Sequence, residues 1–383
     1  MFKSAAILVA LAAAAAEVAA RNCRNINVPI SISARNGDFD VKPPATEIEV
    51  TNVFLRLARQ NFNYTKTVLK GYKTVQGDYT LATTYCEPSG GPSDSLQILT
   101  HGVGFDRSYW DFPYHNHNYS YVNKALDAKY STLSWDRLGI GASSHGDPVN
   151  DIQIFLEVAA LKALTDIVKG GKLPGVSQQH KKVVHVGHSF GSAMTFALVD
   201  RYPDITNGIV LTGFSQVPSF MGNFALGSNF APVKENHHLK DKYAVGYVAP
   251  KSDIGVHIDF FGPDDFDPDL LCVAAQKGQP AAVGELLTVG STGMTNKFTG
   301  SVLIITGDRD VPFCGGDCTN TKPLAAMNIT EPYPNLLAMS KRSFSKAKAF
   351  NATVVPEAGH GLNLGYSSAF TYKAIHDFLK AEV

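Results

Sequence analysis

A glycine-flanked serine between a strand-like run and a helix-like run constrains the fold of this chain more than any other feature. Residues 182–188 are rich in valine and predict a buried strand, residues 187–191 have the sequence GHSFG, and a helical pattern follows to about residue 200. A serine at such a junction sits on a strained turn, where the strand and the helix pass too close for a Cβ atom at either glycine. The pattern predicts that Ser189 projects its hydroxyl at the carboxyl end of a strand, with a helix N-terminus behind it. The alternative is an ordinary strand-to-helix turn.

The charge balance excludes polyionic partners. The 383 residues include 34 Lys and Arg and 34 Asp and Glu, so no net field favours nucleic acid or an anionic membrane. A hydrophobic content of 44% with 18% charged residues is ordinary for a globular enzyme. We therefore expect a small-molecule substrate.

The first twenty residues predict a secretory signal peptide. Lys3 precedes an apolar run at 5–16, and small residues lead to Ala20 before Arg21. The run is shorter than the roughly 20 residues that span a bilayer, which argues against a membrane anchor and stable membrane insertion. We expect cleavage near Ala20 and a soluble secreted product. Sequons for N-glycosylation support the same route. They lie at Asn63, Asn118, Asn328 and Asn351.

Five cysteines lie after the predicted cleavage point. In an oxidising compartment they allow two disulfides and one free thiol, in several arrangements. We expect the pairs Cys23–Cys86 and Cys314–Cys318, with Cys272 free. Zinc binding by the last pair is disfavoured because no second Cys or His pair follows at metal-site spacing.

The N-terminal region predicts an irregular start and a hairpin. Residues 25–44 are polar without periodicity, and residues 46–61 have helical spacing. The apolar positions of this helix are Ile48, Val53, Leu55 and Leu57. Strand-like runs at 66–72 and 79–86 flank the turn residues 76–78, so we expect an antiparallel hairpin there.

Strands then alternate with helices, which predicts an α/β fold with a doubly wound, mostly parallel sheet and ligands at the carboxyl ends of its strands. The predicted strands lie at 96–100, 130–135, 182–188, 208–213, 301–306 and about 352–355. The clearest predicted helices lie at about 151–169 and 367–380, the second with Phe370, Ile375, Phe378 and Leu379 on its inner side. The glycine-rich stretch 136–146 does not fit a nucleotide-binding fingerprint, so no cofactor is indicated.

A long stretch at 215–300 separates two predicted strands. A structureless loop of that length is implausible, so we expect an inserted cap whose aromatic residues pack and partly line a pocket. The expected organisation is a signal peptide (1–20), an N-terminal extension with the entry hairpin (21–77), a core in two parts (78–214 and 301–383) and the cap (215–300).

Two further side chains suit a serine nucleophile. A hydroxyl needs a base within hydrogen-bond reach and an acid that orients the base. His360 and Asp310 each follow a predicted strand, in the chain order serine, acid, histidine. Asp308 also follows a strand, but it comes directly after Gly307, where a carboxylate commonly stabilises a turn by accepting backbone N–H groups. Asp310 lies further along and is therefore the predicted acid.

Taken together, these motifs resemble the α/β-hydrolase superfamily from about Asp78 to the C-terminus. The resemblance rests on His101-Gly102, Asp136-Arg137-Leu138-Gly139, the pentapeptide at 187–191, Gly307-Asp308-Arg309-Asp310 and Gly359-His360. It implies Ser189 as nucleophile, His360 as base, Asp310 as orienting acid, and the N–H groups of Val103 and Phe190 as oxyanion donors. The overall pattern is similar to secreted fungal hydrolases of this superfamily. The motifs do not cover residues 21–77.

The expected activity is cleavage of a carboxylic ester, lactone or thioester through an acyl-enzyme, with no metal or organic cofactor. A serine at 189 argues against the superfamily's haloalkane dehalogenases and epoxide hydrolases, which use a carboxylate nucleophile. An acyl transferase or cyclase, a carbon–carbon hydrolase, an aminopeptidase and a non-catalytic binding module stay open. The intact triad disfavours the binding module, and the lack of an obvious acidic cluster for a substrate amine disfavours the aminopeptidase.

Overall fold

An eight-stranded sheet runs through the centre of the protein in a computed structural model, which describes residues 21–383. The predicted signal peptide at 1–20 lies outside the described residues. The strands are β1 (Asn22–Phe39), β2 (Leu69–Glu87), β3 (Ser95–Thr100), β4 (Ser131–Trp135), β5 (Lys182–His188), β6 (Gly208–Thr212), β7 (Phe230–Pro232), β8 (Tyr247–Pro250), β9 (Ala281–Ala282), β10 (Ser301–Gly307) and β11 (Ala349–Val355). The large sheet has the order β1-β2-β4-β3-β5-β6-β10-β11, parallel from β4 to β11 and antiparallel at β1 and β2. The predicted mostly parallel sheet is confirmed.

Helices cover both faces of this sheet. They are α1 (Glu47–Leu57), α2 (Tyr64–Val68), α3 (Tyr121–Asp127), α4 (Ile154–Lys169), α5 (Phe190–Arg201), α6 (Met221–Gly227), α7 (Asp253–Phe260), α8 (Pro268–Lys277), α9 (Val283–Thr288), α10 (Val311–Cys314) and α11 (Ser368–Glu382). Successive strand residues point to opposite faces. Ile304 therefore joins the core beneath α4 and α5, while Ile305 joins the core beneath α3 and α11. Two hydrophobic cores hold the carboxyl ends of the parallel strands in one plane.

The segment between β6 and β10 has its own secondary structure. It carries helices α6 to α9 and a small antiparallel sheet in the order β7-β8-β9. The division of the chain into the five predicted units stays a prediction. Within residues 21–383, no helix is both long and apolar enough to cross a bilayer.

The N-terminal expectation of an irregular start and a hairpin around 76–78 is wrong. Residues 25–39 belong to β1, and β2 runs without a turn through 76–78. The two strands pair antiparallel along almost their whole lengths, from Asn22 opposite Glu87 to Phe39 opposite Leu69. Pairing with β1 satisfies the backbone at the supposed turn, so the local turn composition is overridden. The strict alternation of apolar residues from Ile26 to Ile32 was the missed strand signal.

The apolar faces of two helices also differ from the prediction. In α1, Ile48 and Leu55 are exposed, and the buried side chains include Val53 and Phe54. In α11, Phe370 is 51% exposed. The other predicted inner residues, Ile375, Phe378 and Leu379, are buried. A separation of five residues corresponds to about 140° around a helix. Pairs such as Phe370 and Ile375 therefore cannot share one buried face.

The disulfides agree with the prediction. Cys23 pairs with Cys86 and Cys314 pairs with Cys318, while Cys272 is free and exposed. The first disulfide joins partners that face each other in the β1–β2 ladder. It therefore ties the N-terminal strand to the sheet.

Candidate active site

Ser189 occupies the sharp turn between β5 and α5. Its backbone angles are φ 55° and ψ −117°, a region that side chains rarely adopt. A Cβ atom on Gly187 would lie 2.5 Å from the carbonyl oxygen of Gly191, and one on Gly191 would lie 2.2 Å from that of Thr100. The chain therefore needs glycine on both sides of the serine, as the sequence predicts. Ser189 remains partly exposed although its neighbours are buried.

Asp310 and His360 meet at the same edge of the sheet. Asp310 follows β10 and caps α10, where its Oδ1 accepts the backbone N–H of Phe313 at 2.8 Å. Its Oδ2 accepts the hydroxyl of Thr306 at 2.5 Å and lies 2.8 Å from His360 Nδ1. Both members of the pair are buried. A proton on Nδ1 can therefore donate to the carboxylate, which leaves His360 Nε2 free to act as a base.

His360 also lies beside the turn that carries Ser189. Its ring centre is 4.7 Å from that of His188, the residue before Ser189, and 5.5 Å from that of Phe313. Phe313 in turn shares the wall of one small cavity with Ser189. Within residues 21–383, Ser189 Oγ has no hydrogen-bond partner. Hydrogen bonds between catalytic groups are often long in a free enzyme and tighten when substrate binds.

His188 packs against His360 as a neutral ring. It stacks on Tyr109 with ring centres 4.3 Å apart, and its Nδ1 lies 3.1 Å from the hydroxyl of Thr212. Burial, with a smaller contribution from the nearby His360, holds the pKa of His188 well below its ordinary value. A neutral His188 places no positive charge beside the ring of His360.

The two predicted oxyanion donors lie next to Ser189. Val103 and Phe190 line the small cavity that also contains the serine. In the described chain, neither backbone N–H donates a hydrogen bond. The loop before Val103 is held by His101, whose Nε2 accepts the N–H of Arg137 at 3.0 Å. The His101 Nδ1 lies 2.8 Å from the carbonyl oxygen of Gly102.

A buried ionic cluster lies behind this loop, and the motif at 136–139 did not predict it. The Arg137 guanidinium contacts Glu157 Oε2 at 2.6 Å and also pairs with Glu285, and all three side chains are buried. It lies 4.6 Å from the ring centre of Phe190, and its Nη2 lies 3.4 Å from the carbonyl oxygen of Gly102. A lone glutamate inside the apolar run of α4 was the available signal.

Burial raises the pKa of Glu157 well above its ordinary value, and the neighbouring Glu285 adds to the shift. The positive charge of Arg137 lowers the pKa of Glu157 but offsets only part of this shift. The cluster therefore buries one guanidinium against two carboxyl groups, and burial disfavours the charged form of Glu157.

The role predicted for Asp308 is wrong. Its carboxylate accepts no backbone hydrogen bond within residues 21–383, and its Oδ1 lies 3.6 Å from Arg309 Nε. The turn is held instead by backbone bonds, from the Asp308 N–H to Val355 and from the Cys318 N–H to Asp308, each 2.9 Å long. Asp310, not Asp308, is the aspartate of this turn whose side chain accepts a backbone N–H, that of Phe313.

Among residues 21–383, no group of three or more His, Cys, Asp or Glu side chains is arranged to hold a metal ion. The polar groups that the structure brings to this edge of the sheet are Ser189, the Asp310–His360 pair and the backbone N–H groups of Val103 and Phe190.

The fold and this edge of the sheet define the class of protein. The model of the alpha/beta hydrolase family matches residues 97–370, most of the chain, and the chain belongs to that family. No curated protein matches the chain in sequence.

Several solved structures share the fold at low identity. A thermophilic esterase from Thermogutta terrifontis is 15% identical with a TM-score of 0.53, over 80% of this chain and 94% of its own. An alpha/beta hydrolase fold protein from Chitinophaga pinensis is 15% identical with a TM-score of 0.50, over 79% and 94%. An esterase from Exiguobacterium antarcticum is 13% identical with a TM-score of 0.50, over 78% and 96%. Similarity at this level describes the fold alone.

Proposed function

We propose that the protein is a serine hydrolase that cleaves a carboxylic ester, lactone or thioester through an acyl-enzyme. The observation that carries the proposal is the 2.8 Å contact between His360 and Asp310 at the sheet edge that holds the strained Ser189 turn. Family membership and the esterases among proteins of similar fold support the same reaction class. Fold similarity alone would not select it.

The proposed reaction follows from the positions of the groups. His360 Nε2 takes the proton of the Ser189 hydroxyl as Ser189 Oγ attacks the carbonyl carbon, and Asp310 stabilises the imidazolium that forms. The carbonyl oxygen becomes an oxyanion and accepts the N–H groups of Val103 and Phe190. Collapse of this intermediate breaks the ester bond, and the imidazolium returns its proton to the leaving oxygen. Water then attacks the acyl-enzyme in the same way and regenerates Ser189.

The test is Ser189→Ala beside an exposed control serine, Ser252→Ala. Loss of the nucleophile should reduce kcat on a nitrophenyl ester on the order of 10⁶-fold, because only binding and the oxyanion donors remain. The control should keep its activity, since Ser252 is exposed and its side chain caps no helix. A fluorophosphonate probe should label the wild type and the control but not Ser189→Ala. Full activity of Ser189→Ala would refute the proposal.

We also propose that the protein is secreted and glycosylated. The leader-like sequence at 1–20, the two disulfides and the exposed positions of all four sequon asparagines support this. Expression in a glycosylating host should give a chain that begins near Arg21 and loses mass on enzymatic deglycosylation. An intracellular chain with its leader intact and no glycan would contradict it.

A further inference from the structure

A second, much larger cavity adjoins the one at Ser189. Its volume is about 670 Å³, within the range of cavities that bind whole small molecules, whereas the cavity at the nucleophile has about 20 Å³. The two share four apolar wall residues, Met221, Phe224, Leu286 and Val289. The smaller space holds about one water molecule. An acyl chain that moves this shared apolar wall aside can extend from the reacting carbonyl into the larger cavity.

The far wall of the large cavity comes from the N-terminal extension. Strand β1, helices α1 and α2 and the start of β2 contribute side chains that are mostly aromatic or aliphatic. They include Phe39, Phe54, Leu57, Phe62, Tyr64 and Leu69. All of them precede the family match at 97–370. Among the described residues that line the cavity, only Lys66 is charged, and it is exposed. The N-terminal extension thus supplies one wall of an apolar site whose other wall comes from residues within the family match, among them Met221 and Leu286.

The position of the large cavity relative to His360 indicates which half of an ester, the acyl group or the alcohol, the cavity would hold. The leaving alcohol must lie beside His360, which returns a proton to it. Within residues 21–383, His360 lines neither cavity, whereas the oxyanion donors Val103 and Phe190 line the small one. Phe313, which stacks on His360, lines the small cavity but not the large one. This arrangement favours a large cavity that extends from the carbonyl group on the side away from the leaving group.

We propose that the 670 Å³ cavity binds the acyl chain of the substrate, and that the protein prefers esters of medium to long unbranched fatty acids. This rests on the proposed hydrolase function. Met221 is flexible and polarisable, which suits a residue that must move aside for a chain. The N-terminal extension is then a specificity element, since it supplies much of the surface that contacts the chain.

The test is a series of nitrophenyl esters from acetate to decanoate. Each methylene buried from water contributes about 0.8 kcal/mol, or roughly fourfold in kcat/KM. We expect kcat/KM to rise on the order of 100-fold from butyrate to octanoate. A parallel series with a constant acetyl group and alcohols of graded length should show no such rise. A rise that follows the alcohol instead, or no dependence on the acyl chain, would overturn the assignment.

Two open glycines provide a matched pair of variants. A Cβ atom at Gly290, on the cavity wall, or at Gly71, outside it, would meet no atom within 4 Å. Gly290 is exposed at the rim of the cavity, so Gly290→Leu should narrow it and lower the octanoate-to-butyrate ratio, whereas Gly71→Leu should keep that ratio. If Gly290→Leu fails to fold, Leu57→Trp fills the same cavity from α1. An unchanged ratio in a folded cavity variant would also refute the proposal.

Failure of this inference and failure of the hydrolase function give different results. Labelling by fluorophosphonate and hydrolysis of the acetate ester depend on Ser189, whatever the chain length. A protein that is labelled but shows no chain-length preference retains the proposed reaction and loses only the acyl site. A protein that is neither labelled nor active on any ester loses both.

Discussion

Asp310 is held by its surroundings more firmly than any other acidic side chain near Ser189. One carboxylate oxygen accepts the N–H of Phe313, and the other contacts Thr306 and His360. Asp308, two residues earlier, has a partly exposed side chain that contacts only Arg309 in the described chain. Residue type does not separate these two aspartates, whereas their contacts do.

The difference predicts unequal effects of removing one charge. Asp310→Asn should lower kcat by roughly 10⁴-fold, because an amide can donate to His360 Nδ1 and stabilise the wrong imidazole tautomer. Asp308→Asn should leave kcat within a few-fold, since its carboxylate supports no group of the proposed site. Steady-state kinetics on both purified variants checks this. A larger loss at Asp308 would show that the acid is assigned to the wrong residue.

At the scale of elements, the Arg137 cluster joins parts of the fold that are distant in sequence. Arg137 lies in the loop after β4, Glu157 on α4 and Glu285 on α9, and Arg137 and Glu285 are 148 residues apart. Glu285 also accepts the backbone N–H of Ala282 at the start of α9. The cluster thereby fixes α9, which lines the large cavity, against the loop that carries Val103 and the start of α5.

We expect replacement of Glu157 and replacement of Arg137 to change the stability of the fold by unequal amounts. Burial raises the pKa of Glu157, which favours its neutral form, so Glu157→Gln should change the free energy of unfolding by less than about 1 kcal/mol. Arg137→Met should cost about 3–5 kcal/mol, because it leaves a buried carboxylate without its cation. Denaturant unfolding at neutral pH measures both. Equal losses in the two variants would show that Glu157 is ionised.

At the scale of the whole molecule, a buried acid on α7 should contribute to the pH dependence of stability. Asp259 lies on α7, and burial raises its pKa from 3.8 to about 8, with the nearby Asp310 adding to the shift. Ser228 Oγ contacts Asp259 Oδ2 and lies 2.9 Å from the carbonyl oxygen of Phe224. A hydroxyl has one proton, so a Ser228 that donates to Phe224 accepts from a protonated Asp259.

The sign of the pH effect follows from proton binding. Between pH 3.8 and about pH 8 the folded state keeps the Asp259 proton, while the unfolded state releases it. Stability contributed by this group is therefore complete at low pH and is lost as pH rises, by up to about 1.4 kcal/mol per pH unit. Asp259→Asn keeps a donor for Ser228 and removes the titration. Its denaturant midpoint, relative to wild type, should rise with pH across this window. Parallel stability curves for the two proteins would contradict the assignment.

The sequence by itself determined those features whose cause is local. The Ser189 turn follows from its flanking glycines, and the parallel strands follow from short apolar runs that alternate with helical periods. The positions of Asp310 and His360 follow from the same rule, since residues that end parallel strands meet at one edge of the sheet. Each of these inferences needs only neighbours along the chain.

Only the tertiary structure decided features that depend on which distant surfaces meet. The pairing of β1 with β2 overrode the turn composition at 76–78, because the backbone there found partners some forty residues away. The ion pair between Arg137 and Glu285 arises only when α9 packs against the loop after β4. The cavity beyond Ser189 is likewise bounded by the N-terminal extension and α6 and α9. Local periodicity specifies which side chains an element buries, but the packing of separate elements determines what lies between them.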